Sequence, residues 1–175
     1  MPSHHPRIFL VGPMGAGKSA IGHELARLLK REFSDSDREV ERRTGVDIAL
    51  IFEKEGEAGF RRRERDVIAE LTQRDNIVLA TGGGAVLDAD NRRHLAERGL
   101  VIYLRATPEA LGTRTRRAPR RPLLADDDDH ASRLRELFEV RRPFYEQLAQ
   151  LTVATDHGHV RALARHIAHE LERVA

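Results

Sequence analysis

Gly12-Pro13-Met14-Gly15-Ala16-Gly17-Lys18-Ser19 is the stretch from which the fold of this chain is read. Ahead of it stands Ile8-Phe9-Leu10-Val11, too short for a core helix and suited to a buried parallel strand. Behind it, Ile21, Leu25, Leu28 and Leu29 recur at helical spacing and predict a helix over Lys18–Lys30. The pattern G-x-x-x-x-G-K-S thus lies between strand and helix, the setting in which such a loop binds phosphate. Glycines let successive backbone N–H groups turn toward phosphate oxygens, and the helix N-terminus adds partial positive charge. Lys18 is placed to reach the β- and γ-phosphates, and the Ser19 hydroxyl to ligate Mg²⁺. These residues imply binding of a nucleoside triphosphate.

Composition narrows what surrounds that loop. A chain of 175 residues, 40% apolar, suits one domain with a real core. No stretch approaches the roughly 20 apolar residues of a membrane span, and Met1-Pro2-Ser3-His4-His5 has no apolar export signal. Zero cysteines exclude a disulfide framework and thiolate metal sites, which fits a reducing cytoplasm. The net charge is only +2, and acidic residues interleave with basic ones, so nucleic acid is not the expected partner. Lysine occurs only at positions 18, 30 and 54, so the one inside the phosphate loop stands out.

Further strands are expected to end near Asp35-Ser36-Asp37 and at Ile77–Ala80, Leu100–Leu104 and Leu151–Thr155. Alternation along a strand would point Asp35 and Asp37 the same way and Ser36 the other. Helical patterns cover Arg38–Thr44, stopped by Gly45, then Asp47–Glu55, stopped by Gly56, then Glu57–Arg74. Three helices without an intervening strand read as an insertion over residues 37–74 that holds a second substrate. Asp88–Arg98 reads as a helix ending at Gly99, and Thr107-Pro108-Glu109 opens another. That helix is expected to dissolve at Arg114, because residues 114–122 hold five arginines and two prolines. A mobile lid over residues 114–127 follows from this reading. Asp126–Asp129 should open a long helix running through Leu134 and Phe144, and Val160–Val174 the terminal one. Strands alternating with helices make a parallel sheet covered on both faces.

Ligands of such sheets gather at the carboxyl ends of the strands. The phosphate loop, the Asp35/Asp37 pair and Thr81-Gly82-Gly83-Gly84 follow the first three strands and should share one edge. An acidic pair beside Mg-ATP can serve the metal and an acceptor hydroxyl. Arg62 and Arg63 read as a solvated face, and Asp126–Asp129 as a helix N-terminus. His157, His159, His166 and His169 show no metal-ligand geometry.

With these motifs stand Gly59-Phe60-Arg61, Arg121-Pro122-Leu123-Leu124 and Arg141-Arg142-Pro143-Phe144-Tyr145. Together and in order, they make the chain resemble shikimate kinases over nearly its whole length. The resemblance implies a nucleoside-monophosphate-kinase-like fold, with a five-stranded parallel sheet in the order 2-3-1-4-5. It also implies transfer of the γ-phosphate of ATP to the 3-hydroxyl of shikimate, a step toward chorismate and the aromatic amino acids. By that resemblance Gly15, Ala16, Gly17, Lys18, Ser19 and Ala20 bind nucleotide, with Arg114 stacking on adenine. Ser19 and Asp35 serve Mg²⁺, Asp35 through water. Asp37, Arg61, Gly83 and Arg141 hold shikimate: Asp37 bonds its hydroxyls and acts as base, the two arginines grip its carboxylate, and Gly83 donates a backbone N–H. Arg121 matches a lid arginine on the γ-phosphate, so Lys18, Asp37 and Arg121 form the catalytic set. A monomer with two small-molecule ligands is implied, with neither nucleic acid nor membrane. The sequence departs from the pattern at Ala20, where a Thr is common, and at Asp156–His159, which lacks an Arg/Pro pattern around adenine. A gluconate-type kinase and a non-catalytic ATP-binding module are the rival readings.

Overall fold

A computed structural model describes residues 5–117 and 130–174. Five strands, β1 (Arg7–Val11), β2 (Glu32–Asp35), β3 (Ile77–Ala80), β4 (Leu100–Arg105) and β5 (Leu151–Ala154), form one parallel sheet in the order β2-β3-β1-β4-β5. β1 is central, and Ile8, Phe9, Leu10 and Val11 are fully buried. Its alternation divides the core in two. Ile8 and Leu10 pack with Leu25, Ile167 and Leu171 on one face of the sheet. Phe9 and Val11 pack with Phe60, Val67, Leu95 and Tyr145 on the other. Each such side chain contributes about 1.5–3 kcal/mol on full burial. With both faces covered, the sheet needs apolar residues at every position of β1, and this is why the run shows no polar alternation.

Register aligns the carboxyl ends. Leu10 pairs with Ala80 and Val11 with Tyr103, so the loops after β1, β3 and β4 leave the same edge. α1 (Lys18–Leu29) returns the chain to β2, and α7 (Val160–Arg173) packs beside it. α2 (Ser36–Thr44) and α3 (Ile48–Leu71) form the expected insertion. α3 is broken at Gly56, where φ 72° and ψ 179° are non-helical, at the position expected to separate two helices.

Three boundaries differ from the sequence reading. β2 stops at Asp35 and the helix begins at Ser36, because the Asp35 carboxylate accepts the backbone N–H groups of Asp37 and Arg38 and caps α2. Asp35 and Asp37 therefore do not share a strand. A single 3₁₀ turn, Ala85–Leu87, precedes α4 (Ala89–Arg98), which Asp88 caps. α5 (Pro108–Arg117) continues through Arg114 instead of dissolving there, since arginine is a good helix former and no proline follows Pro108 until Pro119. The expected lid beyond residue 117 and the Asp126–Asp129 helix start lie outside the described residues. α6 is described from His130 to Leu148 and carries Pro143 internally. No helix among the described residues is long and apolar enough to cross a membrane.

Candidate active site

The phosphate loop is shaped by close backbone passage. Gly12 has φ 148°, and a Cβ there would lie 2.5 Å from the Leu104 carbonyl oxygen. That oxygen belongs to β4 and cannot swing aside, so the exit from β1 requires glycine. Side chains from elsewhere hold the carbonyls of the loop. Thr155 Oγ1 donates to Ala16 O at 2.9 Å, and Arg114 Nη1 donates to Gly15 O at 3.0 Å. Arg114 also donates to the Thr155 carbonyl, so the ends of α5 and β5 brace the loop. Lys18 Nζ lies over the loop, donating to Gly12 O at 2.6 Å and Pro13 O at 2.8 Å. Lys18 and Ser19 open α1, and their backbone N–H groups have no intrahelical acceptor. That end of α1 is suited to an anion.

A cleft of about 190 Å³ joins this loop to the acidic pair, with Gly15, Lys18, Ser19, Asp35, Asp37 and Gly83 on its walls. Ser19 Oγ donates to Asp35 Oδ2, while Asp35 Oδ1 accepts Asp37 N at 2.9 Å and Arg38 N at 3.3 Å. One carboxylate therefore caps α2 and contacts the phosphate loop. Its hydroxyl–carboxylate pair offers hard oxygen donors of the kind Mg²⁺ takes, and so fits that ion. No group of three or more His, Cys, Asp or Glu side chains among the described residues could hold a metal. A Mg²⁺ at Ser19 and Asp35 would complete its shell with phosphate oxygens and water.

The second wall is the loop Gly82–Gly84. Ser36, fully buried, accepts the Gly82 N–H at 3.0 Å. A Cβ on Gly82 would meet Asp37 Oδ1 at 2.7 Å and Glu64 Oε2 at 2.8 Å. A Cβ on Gly84 would meet Arg61 Nη2 at 2.3 Å, and one on Gly83 would lie 3.3 Å from Arg141 Nη1. Two carboxylates and two guanidiniums thus converge on three glycines, because only glycine leaves them room. Arg61 donates to Glu64 at 2.9 Å, and Glu64 is 1% exposed. Burial pushes the Glu64 carboxyl above the usual carboxylate range, against the pull of Arg61 and Arg141. Burial pulls the Arg61 guanidinium down, yet Glu64 and Glu57 more than offset it and hold it fully cationic. Arg141 is 3% exposed, and burial lowers it below its ordinary value, opposed chiefly by Tyr145. A site that keeps one buried and one part-buried cation beside carboxylates is suited to a small anionic, hydroxylated ligand.

A family model described as shikimate kinase matches residues 14–172. The chain belongs to the shikimate kinase family. The shikimate kinase of Methylococcus capsulatus is 54% identical over 166 residues, covering 95% of this chain and 92% of that one. The shikimate kinase of Pasteurella multocida is 53% identical over 160 residues, 91% of each. Among solved structures, shikimate kinase from Acinetobacter baumannii in complex with shikimate superposes with a TM-score of 0.94 at 49% identity, covering 98% of this chain and 95% of that one. The fold is that of the P-loop nucleoside-monophosphate-kinase-like enzymes.

For a shikimate kinase family member, the expected site residues are brought together to a large degree. Gly15, Ala16, Gly17, Lys18 and Ser19 form the loop, Ala20 is exposed in the first turn of α1, and Asp35, Asp37, Gly83, Arg61 and Arg141 surround the cleft or its second wall. Arg121 lies outside the described residues. Arg114 stands beside the phosphate loop and grips its backbone, a contact that a stacking role alone did not foresee. Sequence reasoning missed Glu64, Ser36 and Tyr145. Glu64 carried a legible signal, since it lies three residues after Arg61 and so faces it on the helix. Ser36 was placed on the far side of a strand, and only the helix start at that residue turns it inward to Gly82.

Proposed function

We propose that this chain transfers the γ-phosphoryl group of ATP to the 3-hydroxyl of shikimate, giving shikimate 3-phosphate and ADP. Family membership supports the reaction, and one observation supports its residue roles. Asp37, Arg61 and Arg141 approach the same three-glycine loop that faces Lys18 across the cleft. In this reading Arg61 and Arg141 hold the shikimate carboxylate, and the Gly83 N–H and Asp37 hold its hydroxyls. Lys18 and the amides at the start of α1 hold the β- and γ-phosphates. Asp37 takes the proton of the attacking hydroxyl as its oxygen bonds to phosphorus and the bond to the β-phosphate oxygen breaks. Ser19 and, through water, Asp35 would hold Mg²⁺, which would supply neutralisation of the phosphate charge. Arg121 is the proposed lid arginine on the transferring group, and Arg114 the proposed adenine neighbour. The chain acts in this reading as a cytoplasmic monomer on two small molecules.

Transfer needs little covalent help from the protein, so positioning and electrostatics carry most of the rate. Two cations for a carboxylate, Arg141 buried and Arg61 part-buried, distinguish shikimate from an acceptor recognised through a phosphate or a base. An ADP-release assay with shikimate, quinate, gluconate and AMP as acceptors tests the proposal. Turnover with shikimate at far higher kcat/KM than with the others is expected. Comparable turnover of gluconate or AMP would overturn it.

A further inference from the structure

Tyr145 stands on α6 one turn beyond Arg141, and the two side chains share a helix face. It is fully buried, and its ring stacks on that of Tyr103 from β4, with centroids 5.2 Å apart and planes 24° apart. The two stacked phenols differ at the hydroxyl. Tyr103 Oη is buried without a hydrogen-bond partner among the described residues. Tyr145 O–H donates to the Gly83 carbonyl oxygen at 2.5 Å. A carbonyl only accepts, so the phenol is the donor. The Arg141 guanidinium lies beside the same glycine, 3.3 Å from where a Cβ would stand.

Three glycines in succession have little backbone preference of their own. Gly82 is fixed by Ser36 through its N–H and by Ala85 through its carbonyl, and the Gly84 carbonyl accepts Leu87 N. The remaining peptide, between Gly83 and Gly84, is fixed by Tyr145. Packing alone would be satisfied by phenylalanine, as the orphaned hydroxyl of Tyr103 in the same stack shows.

We infer that Tyr145 is a positioning residue for the acceptor: its hydroxyl fixes the Gly83 peptide beside the Arg141 guanidinium, so that the two groups that meet the substrate keep a set separation. This rests on the reading that Arg141 and Gly83 hold shikimate. Tyr145 touches no substrate in this arrangement. It acts by removing one freedom, the rotation of a glycine peptide, before the ligand arrives.

The test compares Tyr145→Phe with Tyr103→Phe, Arg141→Ala and the Arg141→Ala/Tyr145→Phe double variant, with steady-state kinetics for both substrates and thermal melting. Tyr145→Phe should raise KM for shikimate about two- to ten-fold, the range for one neutral hydrogen bond, with KM for ATP unchanged. Tyr103→Phe, with the same loss of one oxygen from the same stack, should leave both Michaelis constants unchanged. The double variant should be little worse than Arg141→Ala alone, because both changes act on one neighbourhood of the acceptor wall. Unchanged KM for shikimate in Tyr145→Phe, or an equal loss for ATP with lowered melting, would overturn the inference and leave Tyr145 a core residue. If Arg141→Ala itself left KM for shikimate unchanged, the reading of the acceptor site would fail instead.

Discussion

The two glycine loops that wall the cleft are built in opposite ways. The loop of residues 12–19 takes its shape from its own backbone and one passing strand, with Thr155 and Arg114 bracing two of its carbonyls, and its glycine at position 12 is required by the β4 carbonyl of Leu104. The loop of residues 82–84 has no such scaffold and is held by side chains from residues 36, 61, 64, 141 and 145. Phosphate recognition needs N–H groups and a dipole, which any sequence of the right spacing supplies. Acceptor recognition needs charges at set distances, which only a folded chain brings together. One loop is local chemistry and the other is tertiary structure.

The sharpest break of that comparison is Lys18→Ala. Lys18 acts on the phosphates through charge, and its neighbours in the loop are held by Thr155 and Arg114, not by its stem. Turnover should fall by about 10³-fold or more, while melting temperature stays close to that of the unmodified chain. Substantial turnover in a folded Lys18→Ala enzyme would remove the phosphate-loop assignment.

A pair of glycine substitutions separates the loops more directly. Gly12→Ala presses a Cβ against a backbone carbonyl at 2.5 Å and sits at φ 148°, so it should destabilise the fold. The strain is on the order of 1–3 kcal/mol or more. Gly82→Ala presses against the carboxylates of Asp37 and Glu64, which are side chains and can shift. It should fold with a modest change in melting, yet lose affinity for shikimate by at least about ten-fold, the loss of one charged hydrogen bond. If both variants lost stability equally and bound shikimate alike, the distinction between the loops would collapse.

The same division explains what the sequence could disclose. β1, the phosphate loop and α1 are contiguous, and periodicity with fixed spacing made them legible. The sheet order and the insertion came from the resemblance and the helix count, and the break at Gly56 was readable because a single glycine marks it. The acceptor side was legible only through residues with a motif around them, Arg61 and Arg141 among them. Glu64 has no motif of its own, and its burial follows from α3 packing over the sheet. The placing of Asp35 and Asp37 on one strand failed for a physical reason, although both still line the cleft. Two residues of the sequence Asp-Ser-Asp suit a strand end and a helix cap equally, and the cap prevailed because Asp35 satisfies two amides at the start of α2.

A smaller effect is expected where the acceptor wall is also part of the core. Arg61→Ala leaves the Glu64 carboxyl, 1% exposed, without its nearest cation. Arg61 is itself only part-buried, so leaving Glu64 without it should cost about 1–3 kcal/mol, and this variant should lose stability as well as shikimate affinity. The pH dependence has a definite sign. A carboxyl whose folded value is raised keeps its proton above the unfolded value, so its contribution is complete at low pH and fades as pH rises through the folded value. The loss in Arg61→Ala should therefore shrink on acidification, and adding Glu64→Gln should recover part of it at neutral pH. A deficit independent of pH and unrelieved by Glu64→Gln would show that Arg61 serves packing alone.

The smallest effect comes from an ion-pair cluster that joins α2 to α3 outside the cleft. Glu39 accepts from Arg42 at 2.6 and 2.9 Å and from Arg43 at 3.0 Å, and Arg43 reaches Glu70 on α3 at 2.7 Å. The hydrogen bonds from Arg42 hold the Glu39 carboxyl down at about 2, with burial opposing and Arg43 helping. The Arg42 side chain is 70% exposed, so solvent screening limits the pair. A depressed carboxyl contributes stability that is present above the ordinary value of about 4.3 and lost as pH falls through the folded value. Glu39→Gln should thus melt slightly lower than the unmodified chain at pH 7, and the two melting curves should converge as pH falls toward 2. Neither Michaelis constant should move, because α2 is fixed to the site by Asp35 and Ser36 and not by this cluster. A rise in KM for shikimate of more than about three-fold, well under the ten-fold of one lost charged bond, would mean that an exposed charge network does transmit into the acceptor wall. That wall would then extend over the surface of the insertion, and the contrast between a local loop and a tertiary one would have to be redrawn around α2 and α3.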